Sequence, residues 1–244
     1  MNLEETFETE TKRADRGRFS MRQTKPNRNA IGLYHGFPVL LSALFLSACA
    51  ITDMNVDLPN RYEGMQLSGG EGREVVIVVP FSDQRRIKKR CGMKKNGYNM
   101  DTADVFCSVP PATRLAELLA QALQEAGFRV KTHGEPDNPS GIMVEGTLLK
   151  FFVEPVIGFA MGSLETDIQV RLIATSKNGL RAERSFFVKG TKSAMAGTAS
   201  NYQRSVDQAV KRIVQQMAAA IISLFNQYPQ LGRFAPATLE LRLS

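Results

Sequence analysis

An apolar run at residues 31–48 decides which part of this chain is left to fold. It follows Arg22, Lys25 and Arg28, carries Leu40, Leu41, Leu44, Phe45 and Leu46, and ends in Ser47-Ala48 just before Cys49. Basic, then apolar, then small is the order of a secretory signal. A membrane-spanning helix would need about 20 apolar residues. Here the stretch after His35 and Gly36 is shorter and is interrupted by Pro38. The run is therefore read as a signal, and only the chain beyond it as folded protein.

Within the run, Leu46-Ser47-Ala48-Cys49 resembles a lipobox, the mark of bacterial lipoprotein maturation. Small side chains let the peptidase approach the backbone, and the cysteine thiol accepts the diacylglyceryl group. The resemblance implies cleavage before Cys49, lipidation of that residue and a membrane anchor. Buried methylenes contribute about 0.8 kcal/mol each, so several acyl chains hold a protein on a bilayer. Ala50 rather than Asp follows the cysteine, which resembles the sorting of outer-membrane lipoproteins facing the periplasm. Glu4, Glu5, Glu8 and Glu10 precede the basic region and do not belong to a usual signal, so either Met21 is the start or residues 1–20 are a cytoplasmic extension removed with the signal.

The expected organisation is a presequence and signal at 1–48, a lipidated tether at 49–72, a folded domain at 73–228 and a tail at 229–244. The tether reading rests on the Asp, Asn, Pro and Gly scattered through 50–72. In the domain, residues 74–80 form a β-branched run of the kind that is buried on both sheet faces. Residues 111–126 place Leu115, Leu118, Leu119, Ala122 and Leu123 at helical spacing, with Pro111 at the start and Gly127 past the end. A short strand at 128–132 completes a right-handed unit with parallel strands. Three longer strands come next at about 142–154, 164–176 and 181–191, the last two joined by the hairpin signal Asn178-Gly179. Val206, Val210, Ile213, Met217, Ile221 and Leu224 make an amphipathic helix at about 201–225. The expected fold is α+β, in β-α-β-β-β-β-α order, with a mixed sheet of about five strands and two helices on one face.

The hairpin around Ala174-Thr-Ser-Lys-Asn-Gly179 and the late Asp207-Gln-Ala-Val210 helix, in that order of elements, resemble the YajG-type family of uncharacterised bacterial lipoproteins. The resemblance covers roughly residues 74–225 and implies an outer-membrane location without an established activity. The insertion between Pro80 and Pro111 departs from it. More distantly, the layout resembles lipoproteins that activate penicillin-binding proteins or assist envelope transport, which implies a partner-binding role.

Candidate sites are few. Cys91 and Cys107 are expected to pair in an oxidising periplasm. The rival reading, a metal site, lacks ligands, because two cysteines and a distant His133 do not complete a four-ligand zinc set. No metal or other cofactor is expected. Arg85, Arg86, Lys88, Lys89, Arg90, Lys94 and Lys95 place seven cations in eleven residues with no acid among them. From Cys49 onward the net charge is +5, and without these seven it is −2, so the positive charge is local. The segment is expected to be exposed, either as a contact for anionic lipid or lipopolysaccharide or as a solvated loop. Export removes nucleic acid as the usual target. Val156, Ile157, Phe159 and Met161 lie in an apolar turn that reads as a partner contact or as a tip folded under the sheet.

A glycan hydrolase would have to use Asp83, Glu145, Glu154 and Asp167, which charged residues on a wet sheet face would equally explain. The expected function is non-enzymatic, a binding or assembly factor of the envelope, or else a structural lipoprotein without a dedicated partner. Oligomeric state is left open. Cys49→Ser should leave an uncleaved or soluble precursor, and a mature protein whose Cys49 carries no acyl mass would end the lipoprotein reading.

Overall fold

A computed structural model describes residues 52–157, 162–194 and 198–231. Along the chain run β1 (Met54–Val56), β2 (Glu74–Ile77), β3 (Ser82–Asp83), β4 (Gly92–Lys95), β5 (Asp101–Cys107), α1 (Pro111–Glu125), β6 (Arg129–Lys131), β7 (Ile142–Ile157), β8 (Gly162–Ser176), β9 (Arg181–Ala194) and α2 (Ala199–Gln227). The class is the expected α+β, with one mixed sheet and two helices, but the sheet has nine strands instead of about five. The additional strands β1, β3, β4 and β5 have two to seven residues and little alternation of apolar side chains. Their pairing with distant strands, not their own pattern, makes them strands.

β7 organises the sheet. One edge pairs over its whole length with antiparallel β8, which pairs in turn with β9. The other edge meets three short parallel strands in succession: β2 at Ile142 to Val144, β3 at Thr147 and Leu148, and β4 at Val153. A register shift between Leu148 and Lys150 falls between the contacts with β3 and β4. β2 also pairs with parallel β6, closing the expected unit across α1. That helix begins with Pro111 and ends in a left-handed Gly127, where the Phe128 N–H reaches back to the Leu123 carbonyl.

Alternation in β8 sends Leu164, Thr166, Ile168, Val170, Leu172 and Ala174 into the core. α2 covers them with the expected apolar stripe, of which Val206, Val210, Ile213, Met217 and Ile221 are buried. One point of this contact is unusually close. Ser205 accompanies Thr166 in the interior, their hydroxyls 2.7 Å apart, and its Oγ also donates toward the Leu164 and Gly190 carbonyls. A Cβ on Gly190 would lie 2.2 Å from the Ser205 carbonyl oxygen, so only glycine lets helix and strand approach this far.

The segment expected to be a tether is different from residue 54 onward. β1 adds an edge strand to β5, and Val56, Leu58 and Tyr62 are buried in the core. The correction has a simple cause: apolar residues two or four apart, diluted by Pro, Asn and Asp, suffice when a groove already exists to receive them. The folded domain thus starts near residue 54 and not near 73.

Gly190→Val should cost about 1–3 kcal/mol by overpacking, read as a lower denaturation midpoint; an unchanged midpoint would show that α2 can shift freely. Glu74 is buried and accepts the N–H groups of Asp137 and Asn138 at 3.0 and 2.9 Å, with Lys131 at 3.4 Å. Burial alone would raise its carboxyl, but these partners outweigh burial and hold it below the ordinary range. Its contribution is therefore complete above the unfolded carboxylate value of about 4.3 and is lost as pH falls through and below that value. Glu74→Gln should flatten the acid side of the stability profile, and an unaltered acid limb would count against the assignment.

Candidate functional site

The structure divides the basic segment into three groups. Arg85 is turned inward and only 6% exposed. Its Nε and Nη2 donate to the Asp83 carboxylate at 3.0 and 2.9 Å, and Nη2 and Nη1 reach the Lys88 and Arg90 carbonyls. Burial would push the Asp83 carboxyl up, yet the Arg85 guanidinium holds it below its ordinary value. Arg85 is thus a staple that folds the loop around itself.

The second group is paired. Arg90 binds Asp104 of β5, Lys95 donates to Glu154 of β7 at 2.7 Å, and Lys94 donates to the Thr52 carbonyl at 2.8 Å. The third group is Arg86, Lys88 and Lys89, which are exposed and take no ion-pair partner among the described residues. The expectation of seven exposed cations is therefore corrected to three. No acid lies within the segment, but sheet register brings acids from outside it.

Cys91 and Cys107 form a disulfide with Cα atoms 5.6 Å apart, tying the start of β4 to the end of β5. A closed loop of about this size is worth roughly 3 kcal/mol on the chain-entropy account. With the Arg85 staple on one side and the disulfide on the other, the loop bearing Arg86, Lys88 and Lys89 is held at both ends.

Of the apolar turn, Val156 is 41% exposed at the far end of β7. Ile157 ends the strand opposite Gly162. Phe159 and Met161, like Cys49, lie outside the described residues.

The four carboxylates considered for glycan chemistry are scattered. Glu145 faces Ile173 and Glu154 faces Glu165, nine residues further along the same strand, or about 30 Å at strand rise. Asp167 lies opposite Phe152, diagonal to Glu154, but Lys150 donates to it at 2.6 Å as Lys95 does to Glu154. Asp83 is held by Arg85. Glu154, Asp167 and Glu165 thus alternate with Lys95, Lys150 and Lys189 as pairs of opposite charge, while Glu145 and Asp83 stand apart from them. His133 is exposed in its turn, and no metal-binding cluster occurs among the described residues.

Two features escaped the sequence. A cleft of about 790 Å³ lies where the segment from Asp57 to Glu63 crosses the groove between α1 and α2, with Leu58, Arg114, Gln203 and Asp207 among its walls. Burial raises the Asp207 carboxyl, aided by Glu63 and Asp57 and opposed by the Gln203 hydrogen bond. The spacing of Leu58 and Tyr62 was the available signal. The second is the β4–β5 hairpin tip, where Tyr98 and Met100 are 88% and 57% exposed.

Among the described residues no helix is long and apolar enough to cross a membrane. The chain is similar in fold to protein XCC0632 from Xanthomonas campestris, of the DUF330 family, at 11% identity and a TM-score of 0.51, covering 72% of this chain and 99% of that one. Hypothetical protein CT253 from Chlamydia trachomatis matches at 10% identity and a TM-score of 0.38, covering 62% and 96%. A minor lipoprotein from Acinetobacter baumannii matches at 12% and 0.34, covering 62% and 98%. No curated protein matches the chain. The sequence profile of a family described as uncharacterized lipoprotein matches residues 69–220, more than half of the chain. The chain therefore belongs to that family of uncharacterized lipoproteins, the YajG family, and is a lipid-anchored protein of the cell envelope.

Proposed function

We propose that this protein is a non-enzymatic binding factor of the envelope, anchored through Cys49 to the outer membrane on its periplasmic side, whose contact for anionic phosphate groups is Arg86, Lys88 and Lys89. One observation carries the reading: the loop is held by Arg85 and by the disulfide while these three cations face outward without ion-pair partners among the described residues. A chain needing only solubility has no use for a stapled loop. Phospholipid headgroups and lipopolysaccharide share the required chemistry, and each cation near such a surface is worth about 1 kcal/mol.

A second reading, assembly with a protein partner, is favoured by the cleft between α1 and α2, whose rim mixes Arg61, Arg114 and Lys211 with Asp57, Glu63 and Asp207. Mixed charge around an apolar floor suits a peptide better than a uniformly anionic lipid.

The test uses the unlipidated domain with phosphatidylglycerol vesicles in one arm and lipopolysaccharide in the other. Replacing Arg86, Lys88 and Lys89 together by Gln should weaken binding about a hundredfold at low salt, from roughly 3 kcal/mol in all. Wild-type binding should itself decline as salt screens the loop over about 10 Å at 0.1 M. Equal binding by both proteins in both arms would leave a solvated loop and favour the protein-partner or purely structural alternatives.

A further inference from the structure

The course of the chain at Thr52 and Asp53 bears on which end of the domain a lipid on Cys49 would hold to the bilayer. β1 runs parallel to β5 with Met54 opposite Val105, so the chain preceding it follows β5 back toward Asp101 and the hairpin tip. Two bonds hold that course: the Asp104 N–H donates to the Asp53 carboxylate, and Lys94 Nζ to the Thr52 carbonyl, both at 2.8 Å. Only two residues, Ala50 and Ile51, separate Thr52 from Cys49, so the three Cα steps between them reach at most about 11 Å. An acyl chain on Cys49 would therefore keep Thr52 within about that distance of the membrane surface.

Beyond Thr52 in the same direction lies the tip of the β4–β5 hairpin. From Ala103, beside Lys94, to Met100 is three residues, or about 10 Å of strand. The tip is a built turn. The Asn96 side-chain oxygen accepts the Tyr98 and Met100 N–H groups at 3.0 and 3.1 Å, the Asn96 N–H donates to the Met100 carbonyl, and Asn99 takes a left-handed φ of 62°. This arrangement presents Tyr98, the most exposed large apolar side chain among the described residues, with Met100 beside it. Exposed Val156 belongs to the same end, because β4 runs parallel to β7 and Lys95 pairs with Glu154.

We propose that this end of the sheet docks into the bilayer that holds the anchor, with Tyr98 and Met100 entering the interfacial region of a phospholipid leaflet. The inference rests on the lipidation of Cys49. Tyr suits the place because its ring is apolar and its hydroxyl can stay hydrated, the reason such side chains gather at membrane interfaces. The lipid supplies the proximity and the tip the orientation. The loop of Arg86, Lys88 and Lys89 is then set back from the tip by at least the length of β4, about 10 Å.

The test uses the full lipidated protein in purely zwitterionic phosphatidylcholine vesicles, so that the cationic loop plays no part. An environment-sensitive fluorophore is placed at Tyr98→Cys, at Met100→Cys, or at Phe187→Cys on the open face of β9, with the Cys91–Cys107 bond verified by mass. Brominated acyl chains should quench the label at 98 and 100 several-fold more than at 187. If the protein floats with vesicles and carries acyl mass on Cys49, but 98 and 100 are quenched no more than 187, docking is wrong while the anchor stands. An unacylated Cys49 overturns both.

Discussion

Every layer of this structure depends on the continuity of β7. A strand of sixteen residues is about 50 Å long, far more than a single neighbour of ordinary length can cover. On one side the problem is solved by an equally long partner, β8; on the other, β2, β3 and β4 divide the edge among them. An unpaired stretch of buried backbone would leave donors and acceptors unsatisfied. The insertion between β2 and α1 is therefore part of the fold and not an appendage.

The same division determines where charge and exposure fall. The chain must leave the edge of β7 after β3 and return to it at β4, and the intervening loop carries the cations. Arg85 enters the interior because Asp83 is there to receive it, and a buried cation without such a partner would be costly. Past β4, the hairpin projects beyond the level at which the N-terminal segment joins the sheet. The disulfide holds the two hairpin strands at their other end. Hairpin tip and cationic loop are thus placed by one strand's pairing requirements.

How much of this was legible in the chain can be judged element by element. The alternation in β8, the apolar stripes of α1 and α2 and the Asn178-Gly179 turn each bury or bend as their local pattern implies, because one face of each packs against the same core. The short strands were not legible. Lys94 and Lys95 read as part of a solvated cationic run, yet they lie in β4, their ammonium groups satisfied by Thr52 and Glu154. Met54, Val56, Leu58 and Tyr62 read as a tether, since nothing near them in sequence announces the β5 edge and the helix groove that receive them.

By itself the sequence determined the α+β class and the long periodic elements. Periodic elements are encoded by neighbours within a few turns or pleats. Which of seven cations stay exposed, where the folded chain joins the sheet and which exposed side chains share the hairpin end were decided only in the tertiary structure. Those properties depend on contacts between segments far apart in the chain, 59 residues for Lys95 and Glu154 and 146 for Asp57 and Gln203, and no local pattern carries that information.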